Sequence, residues 1–290
     1  MILSKDWTVK EILDWTRDYF KEAGIEKSRL EAEQLLAHTL DVDRLNLYVN
    51  PDRPLDEEEL DQYRPLVKKR KSGRPLQYLT GQVSFMGLTL KIDERALIPR
   101  PETEEMTEEI LSDFRKYEGL KVLDLGTGSG AIAIALARFL VSPDVLGVDK
   151  SPEALKLARE NARRNDLGGQ VEFRESDWFS EVSGRFDLIV SNPPYISSSE
   201  LAELKEEVKD HEPREALDGG GDGLREVEKI LSKAPSHLTE RGAVFLEIAH
   251  DQGPKVKELA NSYDLSEVNV RKDTQGKDRV IYGEKGNHNV

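Results

Sequence analysis

The chain contains the stretch Val122-Leu123-Asp124-Leu125-Gly126-Thr127-Gly128-Ser129-Gly130, in which an apolar run leads directly into a glycine-rich turn. A short apolar run of this kind, bounded by glycines, is typical of a buried parallel strand. A helix is expected after the turn, over residues 130–140. Glycines let a ligand approach the backbone closely, and a helix N-terminus offers free N–H groups to an anion. The stretch therefore predicts a strand, a ligand-binding turn and a helix.

The same alternation of strand and helix continues through the rest of the chain. Ser151 and Pro152, for example, have the residue types of an N-cap and a first helical residue. Strands are expected over residues 121–125, 145–148, 171–173, 186–191 and 243–248, and near 266–271 and 279–282. Alternation of this kind is typical of a parallel sheet with helices on both faces. We predict an α/β fold with a doubly wound, mostly parallel, seven-stranded, Rossmann-like sheet.

One of these strands, Phe186 to Ser191, ends abruptly at Asn192-Pro193-Pro194-Tyr195. Neither proline can donate a hydrogen bond to a sheet, and Pro193 disfavours the α region for the residue before it. The sequence therefore predicts a stiff turn at the carboxyl end of a strand, where open α/β sheets bind their ligands. An amide, two exposed carbonyls and an aromatic ring are expected to be held there.

The glycine turn has G-x-G-x-G spacing, unlike the G-x-G-x-x-G of dinucleotide folds, and it lacks a P-loop lysine. Asp149 ends the next strand, where an acid binds ribose hydroxyls. Asp177 and Trp178 follow the third strand, where they can contact an adenine amino group and ring. These residues predict a nucleoside that carries a carboxylate instead of phosphates, and S-adenosylmethionine is such a ligand. The expected cofactor-binding residues are Asp124, Gly126, Thr127, Gly128, Ser129, Gly130, Asp149, Asp177, Trp178 and Asn192.

Helix start signals precede the sheet. Capping-box patterns begin at Thr8 and Ser28, and Asp56 can cap a third helix that runs towards Lys71. After residue 75 the apolar pattern changes and predicts one or two β-hairpins. The expected domains are a helical bundle that recognises the substrate protein (1–75), a β-hairpin linker (76–98) and a catalytic domain (99–290).

Composition limits the function classes. The formal net charge of −14 argues against a protein that binds nucleic acid stably along a broad face. The chain has no cysteine, and its five histidines are scattered, so no metal site is expected. No apolar run approaches the roughly 20 residues that a membrane span needs, and the N-terminus lacks a signal-peptide pattern. We expect a cytoplasmic, monomeric protein with no membrane contact.

The motifs resemble those of the N5-glutamine methyltransferases that modify peptide chain release factors, within the class I S-adenosylmethionine-dependent methyltransferases. The resemblance runs nearly end to end. The matching segments are Arg100-Pro101-Glu102-Thr103-Glu104, Asp124 to Gly130, Asn192 to Tyr195, Glu212-Pro213-Arg214-Glu215-Ala216-Leu217, Gly219 to Gly223, and Asp278-Arg279. One departure is Ala249, where the family usually has glycine; it concerns only local backbone geometry.

The resemblance implies methyl transfer to the side-chain amide nitrogen of the glutamine in the Gly-Gly-Gln motif of bacterial class I release factors. S-adenosylmethionine would be the methyl donor and S-adenosylhomocysteine the product. Asn192 and Pro193 would accept hydrogen bonds from the substrate amide, and Tyr195 would pack against it, which makes these three the expected catalytic residues. The expected substrate-binding residues are Asn192, Pro193, Pro194, Tyr195, Arg100 and Glu102.

Three alternatives share this fold. A glutamine of a ribosomal protein would fit the same pocket, because specificity would then lie in surface contacts of the N-terminal helices. An adenine N6 methyltransferase carries the same Asn-Pro-Pro-Tyr turn, since an adenine amino group is also planar. Such an enzyme should have a basic groove or a target-recognition domain, and the sequence shows neither. A non-catalytic binding protein is disfavoured by the intact glycine turn, Asp149 and the Asn-Pro-Pro-Tyr turn.

Overall fold

The computed structural model describes residues 7–286, which form two compact units. The helical unit extends to Gly81 and also includes Glu206–His211. Its helices are α1 (Val9–Glu22), α2 (Ser28–Thr39), α3 (Asn46–Val49), α4 (Glu57–Lys71), α5 (Leu76–Thr80) and, from later in the chain, α9 (Glu206–Lys209). None of the helices in the described part of the chain has the length and apolar character of a membrane span.

Two of the three expected helix starts are confirmed. Thr8 and Asp56 each cap a helix, and each forms the reciprocal capping box with the glutamate three residues on. Ser28 is instead the first residue of α2, and Lys27 precedes it without a side-chain cap. The Glu31 N–H that Ser28 was expected to cap donates to the Lys27 carbonyl at 3.0 Å, so the helix starts one residue earlier than the pattern predicts.

The boundary of the helical unit also differs from the expected one. Residues Leu76–Thr80 form the short helix α5, where the sequence predicts a hairpin. Leu76 and Leu79 are buried in the core of the helical unit, and Gly81 ends α5 in the left-handed conformation. The helical unit therefore extends past residue 75, and a single hairpin follows it as part of the second unit.

The second unit comprises Gln82–Lys205 and the chain from Glu212 onward. It contains the predicted catalytic domain and is called the catalytic unit below. Its strands are β1 (Gln82–Phe85), β2 (Leu88–Lys91), β3 (Lys121–Leu125), β4 (Asp144–Asp149), β5 (Val171–Glu175), β6 (Phe186–Ser191), β7 (Leu238–Glu247), β8 (Leu265–Lys272) and β9 (Asp278–Lys285). Its helices are α6 (Pro101–Phe114), α7 (Ala131–Phe139), α8 (Pro152–Arg164), α10 (Arg225–His237) and α11 (Gly253–Asn261), with 3₁₀ turns at Glu200–Ala202 and Arg214–Ala216.

The seven-stranded, mostly parallel sheet is confirmed. Its strand order is β5-β4-β3-β6-β7-β9-β8, with β3 to β7 parallel and β9 antiparallel to both of its neighbours. The chain order reverses between β3 and β6, because β4 and β5 lie on one side of β3 and the later strands lie on the other. Open α/β sheets bind ligands at the carboxyl ends of the strands beside such a point.

Alternate residues of each central strand pack on opposite faces of the sheet, as strand geometry requires. Val122 packs in the cluster that contains α6, α7 and α8, whereas Leu123 packs in the cluster that contains α10 and α11. Both faces are covered by helices, which explains why β3 and β6 carry apolar side chains on both faces of the sheet.

The β1–β2 hairpin is anchored to the glycine turn through one buried amide. Asn161 of α8 accepts the Lys91 N–H at 2.7 Å and donates to the carbonyl oxygens of Lys91 and Ser129 at 3.0 and 2.9 Å. Asn161 has no exposed surface, so its three hydrogen bonds form inside the unit. This side chain therefore links the hairpin, α8 and the turn.

Candidate active site

The glycine turn follows β3 and is shaped by left-handed backbone. Gly126, Gly128 and Gly130 have φ angles of 71°, 55° and 83°, a region that side chains disfavour. The N–H groups of Gly126 and Thr127 donate to the carbonyl oxygen of Val148 in β4 at 2.8 and 2.9 Å. The turn is thereby fixed to the neighbouring strand.

Asp124 lies beneath this turn and is fully buried. Its Oδ2 accepts hydrogen bonds from the Thr127 hydroxyl at 2.6 Å and from the Ala133 N–H at 3.2 Å. Its Oδ1 has no hydrogen-bond partner among the described residues. Burial raises the pKa of Asp124 to about 7. Asp124 therefore ties the turn to the start of α7 from behind the cavity wall.

Asp149 ends β4 and faces the turn. One carboxylate oxygen accepts the Gly128 N–H at 2.9 Å, and the other accepts the Ser151 N–H at 2.8 Å. Burial raises the pKa of Asp149 above its ordinary value, and these two N–H donors oppose the shift. Each oxygen keeps a further lone pair, so the carboxylate can also accept hydrogen bonds from a ligand diol.

Trp178 closes the other side of the turn, directly after β5 and Asp177. Its indole N–H donates to Glu226 Oε2 at 2.8 Å, and its φ of 53° is unusual for an aromatic residue. A Cβ atom placed on Gly126 would lie 3.4 Å from the indole ring. The indole and the bare glycine backbone therefore form adjacent walls of one space.

The Asn192–Tyr195 turn leaves the carboxyl end of β6, beside β3. The Asn192 side-chain NH₂ donates to the Thr103 hydroxyl at 2.9 Å, and the Tyr195 hydroxyl donates to Glu247 at 3.0 Å. Gln252 donates to the Tyr195 carbonyl oxygen at 3.1 Å. Both ends of the turn are thus fixed by side chains from other elements.

A cavity of about 590 Å³ lies between these features. Small-molecule sites typically measure about 300–1,000 Å³. The expected site residues that line it are Gly126, Thr127, Gly128, Ser129, Asp149, Asp177, Trp178, Asn192 and Pro194. An acid, an indole and a backbone turn without side chains are the groups that the sequence assigned to a nucleoside ligand, and they share one cavity. The cavity therefore fits such a ligand.

Six expected site residues do not line this cavity: Asp124, Gly130, Pro193, Tyr195, Arg100 and Glu102. Gly130 lies against α8, where a Cβ atom would be 3.1 Å from that of Ala158. Pro193 is buried at the end of β6. The Tyr195 hydroxyl is directed to buried Glu247, and burial and that carboxylate raise the pKa of Tyr195.

Arg100 and Glu102 have other surroundings. Arg100 donates to Glu212 Oε1 at 2.6 Å, and the Ile98 N–H donates to Glu212 Oε2 at 3.3 Å. Glu212 is buried, so Arg100 fixes the residue 98–104 elbow to the segment that begins at Glu212. Glu102 is half-buried and close enough to Glu247 to raise the pKa of that carboxyl. Neither residue lines this cavity, and Arg100 is held by a buried carboxylate, so substrate binding by Arg100 and Glu102 stays a prediction.

Sequence reasoning missed Thr103, Glu247 and Glu212. Thr103 bonds to Asn192, and Glu247 bonds to Tyr195. The Thr103 hydroxyl also donates to the Glu247 carboxylate at 2.6 Å. A signal existed for Glu247, because this carboxylate directly follows the apolar run Ala243–Leu246 at the end of β7. Glu212 lies in a segment that contributed only to the family resemblance.

The sheet topology and the cavity at its strand ends define a class I methyltransferase. The sequence profile of the methyltransferase small domain matches residues 101–224, which contain both the glycine turn and the Asn192–Tyr195 turn. Two solved structures share this fold. A methyltransferase from Pyrococcus furiosus has a TM-score of 0.52 and 21% identity over 77% of this chain and 98% of its own.

The second solved structure is the Thermus thermophilus 16S rRNA N2 G1207 methyltransferase in complex with AdoMet and guanosine. It has a TM-score of 0.52 and 20% identity, over 70% of this chain and 49% of its own.

Sequence relatives identify the family. The profile of the PrmC N-terminal domain matches residues 11–81. The release factor glutamine methyltransferase of Geobacter sulfurreducens is 43% identical, over 97% of this chain and 98% of its own. That of Bacillus subtilis is 40% identical, over 94% of this chain and 96% of its own. This chain belongs to the release factor glutamine methyltransferase family, which confirms the resemblance found in its motifs.

Proposed function

We propose that this chain methylates the side-chain amide nitrogen of the glutamine in the Gly-Gly-Gln motif of class I peptide chain release factors. The names of its full-length relatives support this substrate. The observation that carries the chemistry is the Asn192 amide, which lines the cavity next to the glycine turn. The proposed site for the methyl donor and a hydrogen-bond acceptor for the substrate's planar NH₂ group are then in the same cavity.

S-adenosylmethionine is the proposed cofactor, and when bound it supplies an electrophilic methyl group on a sulfonium. The residues that would hold it are Asp149 for the ribose, Asp177 and Trp178 for the adenine, and the Gly126–Gly128 backbone. Their place around one cavity supports this assignment.

The chain's own task is to activate a poor nucleophile. The lone pair of an amide nitrogen is delocalised into its carbonyl, so it must be localised before it can attack. Hydrogen bonds from the substrate NH₂ to Asn192 Oδ1 and to the Pro193 carbonyl oxygen would orient the nitrogen and favour a pyramidal geometry. They would also stabilise the positive charge that develops on that nitrogen. We further propose that the enzyme acts as a monomer in the cytoplasm, where release factors work.

A pair of variants separates the two halves of this proposal. Asn192→Ala should abolish methyl transfer to a release factor, followed by mass spectrometry, and leave S-adenosylmethionine affinity, measured by calorimetry, within about threefold. Asp149→Ala should weaken that affinity, because it removes a carboxylate from the cavity wall. Near wild-type transfer by Asn192→Ala would refute the role of the amide, and unchanged affinity of Asp149→Ala would remove it from the cofactor site.

The substrate is tested in the same assay. A release factor whose motif glutamine is replaced by asparagine should gain no methyl group. Methylation that persists in that protein would refute the motif glutamine as the target. Methylation that occurs only with a ribosomal protein or DNA would assign the enzyme to that substrate instead.

A further inference from the structure

A chain of hydrogen bonds extends from the Asn192 amide into the protein interior. Asn192 Nδ2 donates to Thr103 Oγ1 at 2.9 Å, and Thr103 Oγ1 donates to Glu247 Oε2 at 2.6 Å. The other oxygen of Glu247 accepts the Tyr195 hydroxyl at 3.0 Å. Thr103 and Glu247 are both buried, and Glu247 has no exposed surface.

The sheet register explains why these side chains meet. Ser191 of β6 pairs with Leu246 of β7, so Asn192 and Glu247 follow on neighbouring parallel strands at the same edge. Thr103 is in the first turn of α6, which begins at Pro101 and brings its hydroxyl between the two. Residues far apart in sequence thus form one polar network next to the cavity.

The bond directions in this network are those that an ionised Glu247 requires. An ionised carboxylate only accepts hydrogen bonds, so the hydroxyl protons of Thr103 and Tyr195 are both committed to it. The Thr103 oxygen can then only accept, and the Asn192 side chain must present its NH₂ group to it. The Asn192 amide oxygen therefore lies on the opposite side, where no donor from the described residues reaches it, and it can accept a hydrogen bond from a ligand.

We propose that Thr103 and Glu247 are positioning residues for methyl transfer, which hold the Asn192 amide with its oxygen available to the substrate NH₂ group. This inference rests on the proposed function, because it assigns the free oxygen to the glutamine amide. If the Asn192 amide were flipped, its NH₂ group would face the NH₂ group of the substrate glutamine, and it could not accept a hydrogen bond from it.

Protonation of Glu247 would remove this control. A neutral carboxyl can donate to Thr103, whose hydroxyl could then donate to Asn192 and reverse the amide. Burial and the nearby charge of Glu102 on α6 favour the neutral form, whereas Thr103, Tyr195 and the charge of Arg279 on β9 favour the ionised one. Transfer should therefore have an acid limb that depends on Glu247.

Two substitutions of Thr103 test the geometry. Thr103→Val keeps the shape and removes the hydroxyl, so kcat should fall about 10- to 100-fold while the KM for the release factor and the Kd for S-adenosylmethionine change less than about threefold. Thr103→Ser keeps the hydroxyl and should retain at least about a third of the wild-type kcat.

Thr107→Val is the matched control. Thr107 is equally buried one turn later on α6, and its hydroxyl donates to the Thr103 backbone carbonyl at 2.8 Å. Its kcat should stay within about twofold of wild type. Equal losses of kcat in Thr103→Val and Thr107→Val would mean a general effect on α6 and would overturn the inference.

Glu247→Gln tests the charge. A glutamine donates to one neighbour and accepts from the other, as a protonated carboxyl does, so kcat should fall about 10-fold or more and the acid limb of its pH profile should disappear. An acid limb that persists unchanged would overturn the role of Glu247. If the wild-type chain methylates the release factor and Thr103→Val is fully active, only the positioning role is refuted. If the wild-type chain does not methylate the release factor, the proposed function is refuted as well.

Discussion

The buried carboxyl of Asp124 predicts how the stability of the catalytic unit depends on pH. Its pKa is about 7 in the folded chain against an ordinary value of 3.8. Because folding raises this pKa, the folded state binds the proton more tightly. The stabilising contribution is therefore complete below about pH 4 and is lost as the pH rises through about 7.

The magnitude follows from the size of the shift. Roughly 3 pKa units at about 1.4 kcal/mol each correspond to about 4 kcal/mol over the full range. Part of this loss occurs below about pH 5, so about 3 kcal/mol should be lost between about pH 5 and about pH 9. Such a loss is large beside the roughly 5–15 kcal/mol that stabilises a typical domain.

The assay compares wild type with Asp124→Asn by urea unfolding, followed by circular dichroism, at a series of pH values. The difference between their free energies of unfolding should change by about 3 kcal/mol across that range, in the direction that favours the variant at high pH. Asp144→Asn, at an exposed position at the start of β4, controls for the loss of one carboxylate. Parallel pH profiles for wild type and Asp124→Asn would refute the reasoning.

Two further substitutions probe the surroundings of the site. Gly223 has a φ of 75°, which side chains disfavour, and a Cβ atom there would overlap the Tyr195 carbonyl oxygen. Gly223→Ala should therefore lower kcat at least about 10-fold in the methylation assay. Gly221→Ala, which meets no atom within 4 Å, should leave kcat near wild type, and similar losses in both would contradict this account. Arg100→Ala leaves the buried Glu212 carboxylate without its cation and should cost about 2 kcal/mol in urea unfolding. Adding Glu212→Gln should recover part of that loss, and no recovery would mean that charge is not the cause.

The fold could be predicted from the sequence because its signals are local. An apolar run that ends at glycine or proline marks β3 and β6, and the alternation of strand and helix patterns predicts the other five strands of the sheet. Leu76–Thr80 was assigned to the wrong element because a short apolar run suits a strand and a buried helix equally. That ambiguity is resolved only by packing within the helical unit.

The site was predictable only where a residue adjoins such a signal. Asp149 and Asn192 end strands, so their place at the sheet edge followed from the strand assignments. Thr103 and Glu247 act through each other, and their contact depends on the register of β6 against β7, which no local pattern specifies. The same holds for Arg100, whose partner Glu212 lies far along the chain.

The fixed indole beside the glycine turn has a practical consequence. The sequence has three tryptophans, and Trp7 and Trp15 belong to the helical unit, so Trp178 is the only one in the catalytic unit. Its N–H is held by Glu226 and its ring lines the cavity, which gives the fluorophore one orientation and one neighbouring space. In a Trp7→Phe/Trp15→Phe background, the tryptophan fluorescence of the chain becomes a single-site optical signal for whatever enters that cavity.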